Sequence, residues 1–343
     1  IIDKGGMRLD AIPAFIAEQL DRTDSLLVIC NLKKQAAYLF TEMKLENTVI
    51  FHLSAGMCMA HRIAVISEIN SALERKRTNP DAPKVVCIST QVIEAGVDVS
   101  FGCVIRLCAG LDSVIQAAGR CNRNGELNGA ADVFIINCRG EDLGMLRSIK
   151  DGKMACMSLL SDYEYHSEKY PSGLTSDEAV YAYYKKLYIQ SDIGAQDMPI
   201  KIDGSPFTLF DLLSLDRTFA NAPYLKANGE KYALTQAFKT AGSRFTVFGS
   251  STTDVIVPYG EGKEIIAELG SKRAEEDIKY LKKLIKEARA YTVSLYENQR
   301  RALADSGALH PIADGIALAL SEEFYNEDFG LNLDGESREA ITL

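Results

Sequence analysis

A chain of 343 residues, 47% apolar and 25% charged, can bury a sizeable core and is longer than one core normally fills; wholesale disorder is excluded and two domains with a connecting region are expected. No run of about 18 uncharged apolar residues occurs, and the opening IIDKGGMRLD lacks the basic and then apolar order of an export signal, so neither membrane insertion nor secretion is supported. The net charge of −9 argues against a broad nucleic-acid-binding surface, yet residues 1–142 are close to neutral, with 15 Lys+Arg against 17 Asp+Glu.

Eight cysteines (30, 58, 87, 103, 108, 121, 138 and 156) are scattered through apolar runs without a CxxC pair. They read as buried thiols in a reducing compartment, which places the chain in the cytoplasm. The chain opens without an initiator Met and enters an amphipathic segment almost at once, so it reads as a piece of a longer protein.

In chain order, residues 8–20 predict a leading helix, with Pro13 tolerated in its first turn beside Asp10 as a candidate cap. The runs LLVIC (26–30), TVIFHL (48–53), KVVCIS (84–89), CVIRLC (103–108) and DVFIINC (132–138) are continuous rather than alternating, as strands buried on both faces of a parallel sheet should be. Helical periods fall between them at 33–44 and 61–77. Residues 143–240 change character, with the tyrosine-rich 176–189 and SPFTLFDLLSL at 205–215 predicting a mostly helical connector. Beyond it, RFTVFG, DVIVPYG and YTVSLY predict strands, and 262–268 and 272–290 predict helices, the second with Ile278, Leu281, Ile285 and Ala288 on one face. The acidic SEEFYNEDFGLNLDGESREA predicts an exposed closing segment. The expected fold is therefore α/β: a parallel sheet flanked by helices over 1–142, a helical connector over 143–240, and a smaller α+β domain over 241–343.

Chemistry concentrates in two stretches. In QAAGRCNRNG, a continuous helix would carry Gln116, Arg120 and Arg123 at i, i+4 and i+7 on one face, with Gly119 leaving room for a close approach. Two forked guanidiniums aimed together suit a phosphate chain, although a solvated helix end satisfies the same pattern. Upstream, Thr90 and Gln91 leave the end of the strand KVVCIS, where open α/β sheets bind ligands; Gly96 marks a tight turn, and Asp98 offers an acceptor to a ribose hydroxyl or an arginine. An ordinary turn before a strand is the alternative reading of GVD.

TQVIEAGVD followed by QAAGRCNRNG resembles motifs V and VI of superfamily 2 helicases, in wording closest to the CRISPR-associated helicase-nuclease of type I systems. SLLVICNLKKQA resembles motif IV, and HLSAGMCMAHR resembles the segment in which that family places a nucleic-acid-contacting arginine. DVIVPYGEGKEIIAEL, YTVSLYENQ and FYNEDFGL are similar to the family's C-terminal domain. The resemblance implies a second RecA-like domain followed by that C-terminal domain. Arg123 would be the arginine finger and Arg120 its companion, with Gln116, Gly96, Asp98 and Gly119 near the nucleotide. Asn31, Ser54, Arg62, Thr90 and Gln91 would touch DNA. ATP and Mg2+ would be held mainly by an absent first motor domain, and none by this chain alone.

Two segments imitate that first domain. In VPYGEGKEII, Val257 stands where a P-loop requires its first glycine, and Glu264 stands where a magnesium-binding hydroxyl is required. DEAV at 177–180 follows PSGLTS rather than a buried strand and more simply opens a helix with acids at its positive end. The four histidines lack the HD dipeptide of the family's nuclease, so no metal site is expected. The resemblance thus implies the C-terminal half of an ATP-dependent 3′-to-5′ single-stranded DNA translocase acting in CRISPR interference, inactive alone. Its partners would be the first motor domain, the nuclease domain, single-stranded DNA and the surveillance complex. A module docking that complex or an inhibitor protein, or a related restriction or repair helicase, is the alternative.

Overall fold

A computed structural model describes residues 1–125, 127, 129–144, 146–190, 199–202, 205–213, 236–245 and 252–333. The chain divides into two compact units, one formed by Ile1–Val180 with Thr252–Leu343 and the other by Tyr181–Ser251.

The first unit is built on six strands, β1 (Ile2–Arg8), β2 (Ser25–Ile29), β3 (Thr48–Leu53), β4 (Lys84–Ser89), β5 (Cys103–Leu107) and β6 (Asp132–Arg139), in the order β1-β6-β5-β2-β4-β3. Every pairing in this sheet is parallel. The five apolar runs form β2 to β6. β1 was not foreshadowed, because IDKGGMR is polar and glycine-rich; it lies exposed at the sheet's edge, and its register shifts between Asp3 and Gly6.

Helices cover both faces. α1 (Ile12–Leu20) and α2 (Lys33–Glu42) bury Ile12, Phe15, Ile16, Ala36 and Leu39 against Leu26, Val28, Ile105 and Ile136. α3 (Met59–Thr78) and α4 (Leu111–Ala118) bury Ile69, Ala72 and Ala117 against Leu27, Ile29, Val85 and Val104 on the other side. Pro13 sits in the first turn of α1 as expected, but Asp10 caps nothing and instead binds Arg8 at 3.0 Å. α5 (Arg147–Tyr165) and α6 (Asp177–Gln190) follow β6. Asp177 and Glu178 of DEAV lie in the first turn of α6, whose Ala179 N–H is accepted by Ser176 Oγ at 3.2 Å.

The same unit holds a second, four-stranded sheet in the order β10-β9-β12-β11, from β9 (Thr252–Ile256), β10 (Thr292–Tyr296), β11 (Leu309–Ile312) and β12 (Ala317–Leu320). RFTVFG lies almost wholly outside the described residues, which resume at Thr252. The expected helix at 272–290 is two helices, because Asp277 turns its side chain to accept from the N–H groups of Lys279 and Tyr280 and starts a new one, Ile278–Ala288. Ile278 is exposed there, and Leu284 and Ala288 are the buried residues of that helix. Gly262 of the imitation P-loop opens helix Gly262–Leu269 where a Cβ would collide with the Val257 carbonyl and crowd Tyr291, so this glycine serves packing.

The acidic closing segment is not an exposed tail over its described part. Phe324 and Tyr325 are buried, and Leu331 N–H donates to the Gly56 carbonyl at 2.8 Å. Cys58 N–H donates to the Tyr325 hydroxyl at 3.0 Å. His61 Nε2 donates to the Glu327 carbonyl at 2.9 Å, which leaves Nδ1 to accept from the Tyr325 hydroxyl at 2.9 Å. Tyr259 stacks on the His61 ring at 4.2 Å. Gly330 has φ +77°, and a Cβ there would collide with the backbone of Gly56 and Met57. Gly330→Val is therefore expected to free residues 321–333 while leaving the six-stranded sheet folded, read as new proteolytic cleavage confined to that segment.

His52 lies between Phe40 and Phe329, at ring distances of 5.6 and 5.2 Å. Burial pushes its pKa down to about 4, against a smaller upward pull from Asp328 and a further push down from His61. The folded state thus favours the neutral ring, so this contribution is complete above pH 6.5 and is lost as the pH falls toward about 4. The full loss is on the order of 3 kcal/mol. His52→Leu should flatten the fall in urea midpoint between pH 7 and 5; an unchanged slope would remove His52 as its source.

The second unit contains an antiparallel hairpin, β7 (Pro199–Ile202) with β8 (Ser205–Thr208), and two short helices, α7 (Leu209–Leu213) and α8 (Phe238–Arg244). Leu209, Leu212 and Ala241 form its small apolar cluster. Of SPFTLFDLLSL, the first four residues are strand rather than helix.

Candidate functional site

The parallel order β5-β2-β4-β3 brings Asn31, Thr90 and Ser54 to neighbouring strand ends along one edge of the sheet. The row is stitched by backbone bonds, Cys30 N–H to the Ser89 carbonyl at 2.8 Å and Thr90 N–H to the Leu53 carbonyl at 3.0 Å. All three side chains are buried. Among the described residues Thr90 Oγ1 has no hydrogen-bond partner, whereas Ser54 Oγ accepts from Gly56 N–H at 3.2 Å. Asn31 is more committed: Nδ2 donates to the Cys108 carbonyl at 3.0 Å and to Glu141 Oε1 at 2.9 Å. Any DNA contact from Asn31 Nδ2 has to displace one of these. Arg62 stands in the first turns of α3, half-buried, with Nε unpartnered among the described residues.

The arginine-bearing stretch departs from the expected helix. α4 ends at Ala118, Gly119 is its C-cap in ordinary right-handed geometry, and Asn122 takes φ +44°. Gln116 therefore lies exposed on the helix, while Arg120 and Arg123 lie in the loop beyond it, and the three do not share a helical face. The loop runs beside residues 97–101 instead, with Phe101 N–H donating to the Arg120 carbonyl and Asn122 N–H to the Phe101 carbonyl, each at 2.9 Å.

That pairing gathers both guanidiniums onto one segment. Arg120 donates from Nε to the Ile93 carbonyl at 3.0 Å and from Nη2 to the Glu94 carbonyl at 2.6 Å. Arg123 donates from Nη1 to the Val97 carbonyl at 3.2 Å and lies 3.5 Å from Asp98, with its own side chain 39% exposed and that of Asp98 84% exposed. Partial burial, and then the charge of Arg123, lower the pKa of Arg120 from its ordinary value. Gln91 lies in a short 3-10 turn, and Gly96, at φ +73° in open space, makes the bend that sends the segment back toward the start of β5. The arginines thus meet the segment that follows Thr90 in the chain.

Between the two groups lies a polar chain that sequence reasoning missed. Glu94 turns its carboxylate inward to Arg106, Oε1 to Nε at 2.7 Å, in a contact bent off the hydrogen-bond line. Arg106 is fully buried; Nη1 donates to Asn31 Oδ1 at 2.7 Å, the Leu107 carbonyl at 2.8 Å and the Ile29 carbonyl at 3.3 Å. The chain continues from Asn31 to Glu141, which also accepts from Gln35 Nε2 at 2.9 Å and Lys153 Nζ at 2.7 Å. Burial raises the pKa of Glu94, and Arg106 opposes that shift. The available signal was the arginine inside the apolar run CVIRLC.

Among the described residues, no three His, Cys, Asp or Glu side chains gather as a metal site, and no helix is long and apolar enough to cross a membrane. All eight cysteines are free thiols, seven of them buried.

A six-stranded parallel sheet flanked by helices, with the loop that follows α4 running beside Phe101, is a RecA-like α/β fold. Residues 22–126 match the family model described as CRISPR-associated nuclease/helicase Cas3, C-terminal. The CRISPR-associated nuclease/helicase Cas3 of Haloferax volcanii is 66% identical over 41 residues, which are 12% of this chain and 4% of that protein. The fold is similar to the crystal structure of T. fusca Cas3 with ATP, at TM-score 0.53 and 12% identity over 93% of this chain. A second solved CRISPR-associated protein gives TM-score 0.50 at 15% identity over 88% of this chain. The chain spans 38% and 35% of the lengths of those two solved proteins.

Proposed function

We propose that this chain is the C-terminal half of an ATP-dependent 3′-to-5′ single-stranded DNA translocase that works beside a nuclease in CRISPR interference. The observation that carries the reading is the convergence of Arg120 and Arg123 on residues 93–98, inside a segment that matches the Cas3 C-terminal model. Two neighbouring guanidiniums, one with its side chain 39% exposed and tethered at 3.2 Å, fit the phosphates of ATP presented from outside. This chain has no P-loop, so a preceding motor domain of the complete enzyme would hold ATP and Mg2+.

ATP supplies the phosphoryl group whose transfer drives the cycle. Arg123 would place its fork against the γ-phosphate and offset the charge that grows in the transition state, with Arg120 as its companion and Gln116, Gly96, Asp98 and Gly119 completing the rim. At the strand ends, Thr90, Gln91, Ser54, Asn31 and Arg62 would take the sugar-phosphate backbone of single-stranded DNA. A few such groups suit the near-neutral charge of residues 1–142 and imply a shallow salt dependence. The smaller sheet and its closing segment would complete the motor and meet the surveillance complex.

Mixing the purified chain with a polypeptide that carries the missing P-loop half should restore single-strand-stimulated ATP hydrolysis that neither piece shows alone. Failure of the two pieces to hydrolyse ATP, although they associate, would overturn the reading.

A further inference from the structure

We propose that Arg106 is a positioning residue for Arg120, acting through the carboxylate of Glu94; this rests on the nucleotide-facing role proposed for Arg120. The Arg120 guanidinium is held by two backbone carbonyls, those of Ile93 and Glu94, and by the adjacent Gly119 carbonyl at 3.5 Å. Where those two carbonyls stand depends on what fixes the short turn that carries them. Glu94 fixes it from within, reaching into the core to Arg106 at 2.7 Å. Arg106 is fixed in turn by polar atoms from three places: the Ile29 carbonyl, the Asn31 side chain and its own strand at Leu107. Glu141, braced by Lys153 and Gln35, holds Asn31 from the far side.

Stability alone does not account for this arginine. Its strand neighbours Val104, Ile105 and Leu107 are apolar, and an apolar residue of similar volume would fill the position without taking a charge out of water. Among the described residues Nη2 is buried with no hydrogen-bond partner, and the Nε contact is bent, so the pair is not arranged for the strongest attraction. What the arrangement does provide is a fixed place. A guanidinium with donors in a rigid fork sets the Glu94 carboxylate against the ends of β2 and β5.

Three measurements test this. In the 343-residue chain, solvent exchange of the Arg120 Nε–H, followed by nitrogen-detected NMR, should be slow in the wild type and at least about tenfold faster in Arg106→Gln. Because breaking a buried pair can unfold a protein, Glu94→Gln/Arg106→Gln is the companion variant: two neutral amides remove the charges together and should still free the Nε–H. In the complete enzyme, the double variant should lower kcat for ATP hydrolysis at least about tenfold with little change in KM, and add no further loss when Arg120→Ala is already present. Slow Nε–H exchange in the folded double variant would overturn the proposal, as would kcat losses that simply add. If Arg120→Ala leaves ATP hydrolysis intact while the exchange result holds, Arg106 still positions Arg120 structurally, but the nucleotide-facing role fails and the catalytic part of the proposal with it.

Discussion

Arg123→Ala in the complete enzyme is expected to cut single-strand-stimulated ATP hydrolysis by about 10³ to 10⁵. That range corresponds to roughly 4–7 kcal/mol of transition-state stabilisation. The size follows from what the side chain leaves free. One Nη1 bond to the Val97 carbonyl at 3.2 Å and a 3.5 Å approach to an Asp98 that is itself largely exposed set its direction without saturating its five donors. The same exposure means that little folding stability depends on it, so the variant should melt with the wild type. Arg123→Lys is expected to recover only a minor part of the rate, because a point charge cannot bridge phosphate oxygens as a planar fork does. Steady-state kinetics with saturating DNA separate the outcomes: a kcat loss with nearly constant KM fits a group that acts in the transition state. A loss below tenfold would rule Arg123 out as the finger.

The second large effect is on stability. Arg106→Leu strands the Glu94 carboxylate in a site where burial already raises its pKa, and should destabilise the first unit by about 3–5 kcal/mol. Against a typical total of about 5–15 kcal/mol, that is a large share. Removing both charges, as Glu94→Leu/Arg106→Met, should cost far less, because neither partner is left uncompensated. Urea unfolding followed by circular dichroism compares the two directly. Equal losses in the single and double variants would mean that the Nη1 bonds or the volume of Arg106, and not its pairing with Glu94, is what the core needs.

The interior of the sheet was legible because strands buried on both faces must be apolar throughout, and TVIFHL and KVVCIS form β3 and β4 with the bounds read from the sequence. β1 escaped notice for the opposite reason: an edge strand with an exposed face needs no apolar run, and Asp3, Lys4, Gly5 and Gly6 look like a loop. At the site, the residue types drew attention to two stretches that the fold sets side by side, but not in the helical geometry expected. A 3.6-residue period fits Gln116, Arg120 and Arg123, but periodicity carries no information about where Gly119 stops the helix. What aligns the two arginines is a pairing between residues 97–101 and 120–122, a non-local contact with no local signature. The pairing of Arg106 with Glu94 was invisible in the same way: a charge inside CVIRLC is a signal, but its partner twelve positions away is unremarkable until the fold sets one against the other.

The bonds from Cys58 and His61 to Tyr325 link positions more than 260 residues apart. During synthesis the helix that begins at Met59 emerges well before Tyr325, and the corner at its start stays open until the ribosome has passed Leu331. Over that interval the aromatic faces of Phe40, His52 and Tyr259 lack their last partners, so nascent chains stalled short of this point should engage chaperones that chains released beyond it do not.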